Sequence, residues 1–300
     1  MKRCSRHRLA IWLKVLLTLA LFGLLGTTLH ANHHKELAII ISKELPIYQR
    51  TLEAVRSELP PDISVHVFTL KQQAVYNRRV SNRLKSYPFD CLLTIGAKAT
   101  QMAIDVHGER PVISCMTLLS SELSNRISDK VHIVPYLPSA EHFIKVLKRK
   151  CPEKKRVGLI WADDVMSKVV KEQEKAFTEA GYTFKSTRID SHRKLPRELK
   201  KLSREIDLFL LLPEPLLLQK EALRHLLLHL LQNEIPVLTF SPGLVRAGAL
   251  FGLSYPIETV AKQVGDMVKE CASGKNPTVK KAEPTLSTNE RVAKFLKIGQ

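Results

Sequence analysis

Two histidines on one predicted helix, His225 and His229, have the spacing most suggestive of chemistry in this chain. Four residues apart, they would place both rings on one helix face, as in helical zinc sites. No glutamate adjoins them in the zinc-protease pattern and no third metal ligand follows, so two surface histidines are the preferred interpretation. The motifs of serine hydrolases, phosphate-binding loops, dinucleotide-binding turns and zinc proteases do not occur either. The sequence therefore predicts no metal site, no cofactor and no catalytic residues.

A second set of residues lies where predicted β-strands end. In open α/β sheets, ligands bind beyond the carboxyl ends of the strands, because the following helices begin there with unpaired N–H groups and a positive dipole end. Such N–H groups would hold a carboxylate without a dedicated arginine. The candidate substrate-binding residues are Ser42, Gly96, Ala97, Met116 and Thr117 in the first half, and Ala162, Asp163, Glu214, Ser241 and Tyr255 in the second.

Four of these positions have a second interpretation. Gly96 ends a strand and permits close approach of a ligand, or it forms a tight turn without one. Asp163 is placed to bind an ammonium group or to cap the next helix. Glu214, between two prolines, is either presented to a ligand or solvated in a turn. Tyr255 either stacks on a ligand or packs at the junction between two lobes.

Alternating strands and helices must position these residues. The first predicted strand, Glu36–Ser42, is a continuous apolar run rich in β-branched residues, which is typical of a parallel strand buried on both faces. Predicted helices, the first of them Pro46–Leu59, separate it from further predicted strands at 63–70, 90–95 and 111–115, and a crossover is predicted over Leu118–Tyr136. The alternation then repeats, with strands at 156–161, 182–188, 206–212, 236–240 and 249–254, and with a helix over Pro215–Asn233. This pattern predicts an α/β fold with two doubly wound parallel-sheet lobes.

The first 31 residues have the three parts of a secretory signal peptide. Met1–Arg8 is basic, Val15–Leu25 is apolar, and Ala31 is a small residue ahead of a polar stretch. We therefore expect export to the periplasm with cleavage after Ala31. An uncleaved membrane anchor is the alternative, although Lys14 interrupts the apolar run.

The formal charge of the chain is +18, which suits a nucleic-acid or anionic-membrane partner as well as a solvated basic surface. The basic residues are scattered over every predicted helix without a nucleic-acid-binding motif, so we expect no nucleic-acid partner.

The five cysteines form no disulfide framework. A bond between Cys151 and Cys271 is the one pairing that the sequence leaves open.

The chain resembles the periplasmic substrate-binding components of ABC transporters, in the family whose better-understood members take up tryptophan or tyrosine. The stretches that carry the resemblance are Asp90–Thr100, Pro111–Met116, Leu147–Trp161, Gly248–Tyr255, Val260–Val268, Gly274–Pro277 and Asn289–Gly299. The resemblance implies a type I periplasmic-binding-protein fold, in which two lobes joined by a hinge close on a small solute. The first lobe would comprise residues 36–118 and 256–280, and the second 119–255 and 281–300.

The function implied is binding of a small organic solute, an amino acid or similar, without chemistry. The partner would be an ABC permease in the inner membrane, and we expect a monomer. A sensory module of the same fold, which presents a ligand-dependent conformation to a membrane partner, is the alternative. An exported α/β enzyme is a third hypothesis, for which the sequence offers no nucleophile and base.

Overall fold

The computed structural model describes residues 35–118 and 120–298, and the expected signal peptide lies outside them. Both β-sheets belong to one compact unit that begins at Lys35. Among the described residues, none of the helices combines the length and the apolar character needed to cross a membrane.

The first sheet has five parallel strands in the order β2-β1-β3-β4-β5. Its strands are β1 (Lys35–Ile41), β2 (Ile63–Thr69), β3 (Cys91–Ile95), β4 (Val112–Cys115) and β5 (Val131–Ile133). The helices that connect them are α1 (Pro46–Glu58), α2 (Ala74–Ser86), α3 (Ala97–Val106) and the short α4 (Ser121–Ser124). Ile39, Leu93 and Ile113 are fully buried at its centre, because helices cover both faces of the sheet.

The second sheet repeats this order and adds one antiparallel strand, giving β11-β10-β9-β8-β6-β7. Its strands are β6 (Arg156–Trp161), β7 (Thr183–Arg188), β8 (Leu208–Leu211), β9 (Val237–Thr239), β10 (Phe251–Ser254) and β11 (Thr285–Thr288). The accompanying helices are α5 (Ala140–Lys150), α6 (Met166–Glu179), α7 (Leu195–Leu202), α8 (Lys220–Gln232) and α9 (Pro242–Ala247). The predicted fold class, two doubly wound α/β lobes, is confirmed.

The chain passes between the two sheets three times. Residues 134–139 lead from β5 to α5, which packs in the core of the second sheet. Residues 255–256 lead from β10 to α10 (Ile257–Ala272), which packs on α1 and the first sheet. Residues 273–284 return to β11, and α11 (Glu290–Phe295) follows. Three separate stretches of chain thus join the two sheets.

Two segments differ from the sequence prediction. The predicted crossover over Leu118–Tyr136 contains β5, which pairs with β4, so residues 131–133 belong to the first sheet rather than to the second lobe. A three-residue strand is too short to show an alternating pattern. The helix predicted from Pro215 begins only at Lys220, because the preceding turn is organised around Glu214.

The four described cysteines are buried free thiols. Cys151 packs in the core of the second sheet and Cys271 in the core of the first, so the structure does not pair them. The neighbour of Cys271 is Cys91: a hydrogen bond between the two thiols, together with burial, raises the pKa of Cys91 well above its ordinary value.

Candidate functional site

A cavity of about 440 Å³ lies between the two sheets at the carboxyl ends of their strands. We call it the hinge cavity and define it by Met116, Tyr136, Phe240, Ser241, Arg246 and Tyr255, which are among its lining residues. Met116 follows β4, Ser241 follows β9 and Tyr255 follows β10. The structure therefore brings three of the ten predicted binding residues together at one site.

The hinge cavity has an aromatic wall. Tyr136 and Phe240 both line it, and their rings pack edge to face with centroids 6.2 Å apart. Burial raises the pKa of Tyr136 to about 12, and burial followed by the nearby Glu283 carboxylate raises that of Tyr255. Both phenols are therefore protonated at neutral pH and offer O–H donors beside an apolar surface.

Met116 adopts a left-handed backbone conformation with a φ angle of +54°. This conformation is uncommon for a residue other than glycine, and it recurs at binding sites where the surrounding structure enforces it. The hydrophobic packing of Met116, which is 8% exposed, holds it at the end of β4 against the cavity.

Three charged side chains line the hinge cavity, and sequence reasoning missed them: Arg50, Arg246 and Glu258. Arg50 lies one turn into α1, Arg246 in the last turn of α9, and Glu258 in the first turn of α10. The strand-end rule draws attention only to the first residues after each strand, so it does not reach them. The usable signal was a charged residue within the first two turns of a helix that follows a strand end, which fits all three.

Gly96, Ala97 and Ser42 lie elsewhere along the first sheet. The Ser42 hydroxyl accepts a hydrogen bond from the Ala99 N–H at 2.9 Å and so occupies one amide at the start of α3. A Cβ atom at Gly96 would lie 2.7 Å from both Ser42 Oγ and Tyr48 Oη. The glycine, whose φ angle is +92°, thus accommodates the protein's own side chains. Ser42 also borders a separate cavity of about 1030 Å³ formed by the first lobe alone.

Thr117 belongs to a buried cluster of hydroxyl groups. Its Oγ1 is 3.0 Å from Thr100 Oγ1 and accepts a hydrogen bond from the Ser114 hydroxyl at 2.9 Å, while Thr94 Oγ1 also contacts Thr100 at 3.0 Å. Thr117 is 4% exposed and borders a third cavity, of about 520 Å³, between residues 133–141 and α6. Its hydroxyl is therefore already hydrogen-bonded within the protein.

Glu214 organises the strand ends of the second lobe. Its carboxylate is 2% exposed and accepts hydrogen bonds from the N–H groups of Ala162 at 2.8 Å, Asp163 at 3.0 Å and Leu216 at 3.2 Å. Asp163 Oδ1 in turn accepts from the Val165 N–H at 3.0 Å, in the turn that leads into α6. The N–H groups expected to hold a ligand carboxylate at this strand end are thus occupied by a carboxylate of the protein itself.

The histidine pair on α8 makes its contacts within the protein. The rings of His225 and His229 stack with centroids 6.2 Å apart, and His229 Nε2 lies 3.0 Å from the Ser203 hydroxyl. Burial, followed by the neighbouring His225, lowers the pKa of His229. Within the described ranges, no group of three or more histidine, cysteine, aspartate or glutamate side chains is arranged around a common point for a metal.

A serine, a histidine and a glutamate form a row of side-chain contacts near the third passage between the sheets. Ser139 Oγ is 2.9 Å from His142 Nδ1, and His142 Nε2 is 3.5 Å from the Glu283 carboxylate. Hydrolytic triads rely on a buried acid that orients the histidine. The Glu283 side chain is 70% exposed, and Ser139 occupies the N-cap position of α5. The row is therefore best explained as part of the helix start.

Comparison with known proteins places the chain in a family. The family model for ABC transporter substrate binding proteins matches residues 71–298. No curated protein matches the sequence.

Three solved structures show the same fold at low sequence identity. A ligand-free, open substrate binding protein with adhesive properties from Clostridium difficile has a TM-score of 0.74 and 17% identity over 89% of this chain and 96% of that one. An ABC domain from Streptococcus pneumonia, in complex with L-Trp, has a TM-score of 0.68 and 13% identity over 88% and 95%. A solute binding protein from Bacillus halodurans, with bound myo-inositol, has a TM-score of 0.57 and 12% identity over 88% and 98%.

These neighbours share the type I periplasmic-binding-protein fold that the sequence resemblance implied. The family match covers well over half of the chain, from α2 onward, and includes the whole second sheet and most of the residues that line the hinge cavity. The chain therefore belongs to the ABC transporter substrate-binding protein family.

Proposed function

We propose that this protein is the periplasmic receptor of an ABC-type uptake system and that it binds a small organic solute, an amino acid or similar, without chemical change. The observation that carries this proposal is the hinge cavity, because its walls come from both sheets. Its volume of about 440 Å³ lies within the range of about 300–1,000 Å³ typical of small-molecule sites. L-Trp and myo-inositol, bound by two proteins of the same fold, are solutes of this kind.

Closure of two lobes on the solute would provide the signal to the transporter. The lobes we propose are those expected from the sequence, 36–118 with 256–280 and 119–255 with 281–300, except that residues 131–133 join the first. A solute that contacts Met116 on one side and Ser241 on the other favours the closed arrangement, since only that arrangement allows both contacts. The partner would be an ABC permease in the inner membrane, and export by the N-terminal segment would deliver the receptor as a monomer to the periplasm.

Thermal unfolding with a panel of metabolites tests the proposal. A solute at one hundred times its dissociation constant stabilises the folded state by about 2.7 kcal/mol, which raises the melting temperature measurably. Mass spectrometry of small molecules that copurify with the chain would identify a natural solute directly.

A matched pair of variants assigns any stabilisation to the hinge cavity. At Gly243, which lines the cavity, an added Cβ would approach no atom closer than 3.4 Å, so Gly243→Tyr projects a ring into the cavity. The control is Ala247→Tyr on the exposed side of the same helix. Loss of stabilisation in the first variant alone is the expected result. The absence of any stabilising compound from a broad panel would overturn the proposal.

A further inference from the structure

Two of the buried thiols meet in the core of the first sheet. Cys91 is the first residue of β3 and Cys271 lies in the last turn of α10, and they are 3% and 8% exposed. Both belong to the same hydrophobic cluster, and their side chains share a hydrogen bond. The contact joins two stretches of chain about 180 residues apart in the sequence. The proposed receptor function does not account for it, since neither cysteine lines the hinge cavity.

The course of α10 along the first sheet produces this contact. The helix begins beside the hinge cavity, where Glu258 and Val260 are among the lining residues, and it packs on β3, β4 and α1. It therefore runs from the carboxyl ends of the strands toward their amino ends. Its last turn reaches the start of β3, which brings the two thiols together at one edge of the sheet.

Among the four described cysteines, no other pair is close enough for a disulfide bond. Cys115 pairs in register with Ile95, four residues beyond Cys91 along β3, which places it at the opposite edge of the sheet, about 13 Å away. Cysteines in a disulfide have Cα atoms no more than about 7 Å apart. Cys115 Sγ instead donates to the Thr94 carbonyl oxygen at 3.6 Å, and Cys151 packs in the core of the second sheet.

We propose that Cys91 and Cys271 form a disulfide bond when the chain folds in an oxidising compartment; this inference rests on the export that the proposed function includes. The oxidant is a disulfide, either of a protein thiol oxidase or of glutathione. The thiolate of one cysteine attacks a sulfur atom of that disulfide and releases one thiol, and the second cysteine then displaces the other thiol from the mixed disulfide. The pair loses two electrons and two protons, and the oxidant is reduced to two thiols.

Burial requires that the bond form before the core closes. The hydrogen bond with Cys271, followed by burial, raises the pKa of Cys91 well above its ordinary value, and only a thiolate attacks a disulfide. In the unfolded chain both thiols are open to the oxidant, whereas the folded core excludes it. The same burial protects the finished bond from reductants.

The bond fastens α10 to the first sheet at the point where the third passage begins. The Thr278 N–H donates to the Glu270 carboxylate at 2.8 Å, and Gln263 Nε2 donates to the Lys280 carbonyl oxygen at 2.7 Å, so the start of that passage lies along α10. A cross-link between residues so distant in sequence stabilises a protein mainly by restricting its unfolded chain. The bond therefore stabilises the folded state without linking one sheet to the other.

Refolding of the full chain in a glutathione redox buffer tests the pairing. The reduced protein is unfolded in urea, refolded with glutathione and its disulfide, and alkylated before digestion with trypsin. We expect one cross-linked product, made of the peptides 86–98 and 270–275, which contain Cys91 and Cys271. We also expect the oxidised protein to melt about 5–10 °C above protein refolded with a reductant.

Two variants assign this stabilisation to the pair. In Cys271→Ser, the cross-linked product and the rise in melting temperature on oxidation should both be lost. Cys151→Ser is the matched control, because Cys151 is also buried but lies in the core of the second sheet, and it should retain both. Each variant is compared in its own oxidised and reduced forms, so a general loss of stability does not affect the result.

Alkylation of both Cys91 and Cys271 after refolding would overturn the inference, and so would a cross-link that includes Cys115 or Cys151. A cross-linked protein that melts no higher than the reduced protein would also overturn it, because the folded state would then not accommodate the bond. The refolding test uses neither solute nor export. Its failure therefore leaves the receptor function standing, and a solute panel without a stabilising compound leaves the disulfide standing.

Discussion

At the scale of single residues, backbone N–H groups beyond the carboxyl ends of the strands donate hydrogen bonds to side chains of the protein itself. Buried N–H groups need acceptors, and an unpaired one costs on the order of 1–3 kcal/mol. Ser42 provides the acceptor at the start of α3, and Glu214 provides it for the loop after β6. A ligand site in this fold therefore depends on which strand ends the protein leaves unfilled, and at the hinge cavity Ser241 Oγ already accepts from the Gly243 N–H at 3.2 Å.

Substitution of Glu214 by Gln tests this view. The amide places one N–H₂ group among three N–H donors, so at least one hydrogen bond is lost. We expect the free energy of unfolding to fall by about 1–3 kcal/mol in urea denaturation. Glu221→Gln, at an exposed position in the first turn of α8, is the control and should change stability by less than about 0.5 kcal/mol. Equal effects would show that Glu214 has no structural role.

Sequence reasoning reached some of these roles and missed others for a clear reason. It weighed Asp163 as a helix cap, and the hydrogen bond from the Val165 N–H supports that interpretation. It described Glu214 as either presented to a ligand or solvated, whereas the side chain is 2% exposed. The acceptor of the Ala162 amide lies 52 residues further along the chain, and no local pattern encodes so distant a contact.

At the scale of elements, the strands and helices with strong apolar periodicity were predicted almost to their bounds. The run Glu36–Ser42 became β1 over Lys35–Ile41, and the predicted helix Pro46–Leu59 became α1. The three-residue β5 escaped prediction because pairing with β4, rather than local sequence, makes it a strand. The return of α10 to the first sheet was implied by the family resemblance alone, since its periodicity fits either lobe.

The packing of α10 on α1 depends on a glycine in the middle of α10. A Cβ at Gly265 would lie 2.7 Å from Glu58 Cβ and 2.9 Å from the Glu58 carbonyl oxygen. Gly265→Ala gains about 1 kcal/mol of helix propensity, but overpacking against backbone costs about 1–3 kcal/mol, so we expect net destabilisation. Thr259→Ala, exposed on the same helix, should be neutral or stabilising. Urea denaturation of both variants measures the difference, and a more stable Gly265 variant would refute the close contact.

At the scale of the whole molecule, two sheets with the same strand order form one cavity that neither sheet forms alone. The order β2-β1-β3-β4-β5 reappears as β7-β6-β8-β9-β10, and the hinge cavity lies beyond the ends of β4 in the first sheet and of β9 and β10 in the second. Three passages join the sheets, over residues 134–139, 255–256 and 273–284. The formal charge of +18 is spread widely over the chain. Arg50 and Arg246 have the same sign as this charge, but they line the hinge cavity.

Global stability should depend on pH through the buried thiols. Burial raises the pKa of Cys115 from its ordinary value near 9 to about 12, so the unfolded state releases this proton first and stability falls as pH rises from about 9 to 12. At pH 10 this thiol alone should lower the free energy of unfolding by about 1 kcal/mol relative to pH 8. Urea denaturation at both pH values measures the loss in the native chain and in Cys115→Ala. Between pH 8 and pH 10, the free energy of unfolding of Cys115→Ala should fall by about 1 kcal/mol less than that of the native chain, because the titration of lysines and tyrosines is common to both proteins. Equal losses would contradict the raised pKa of Cys115.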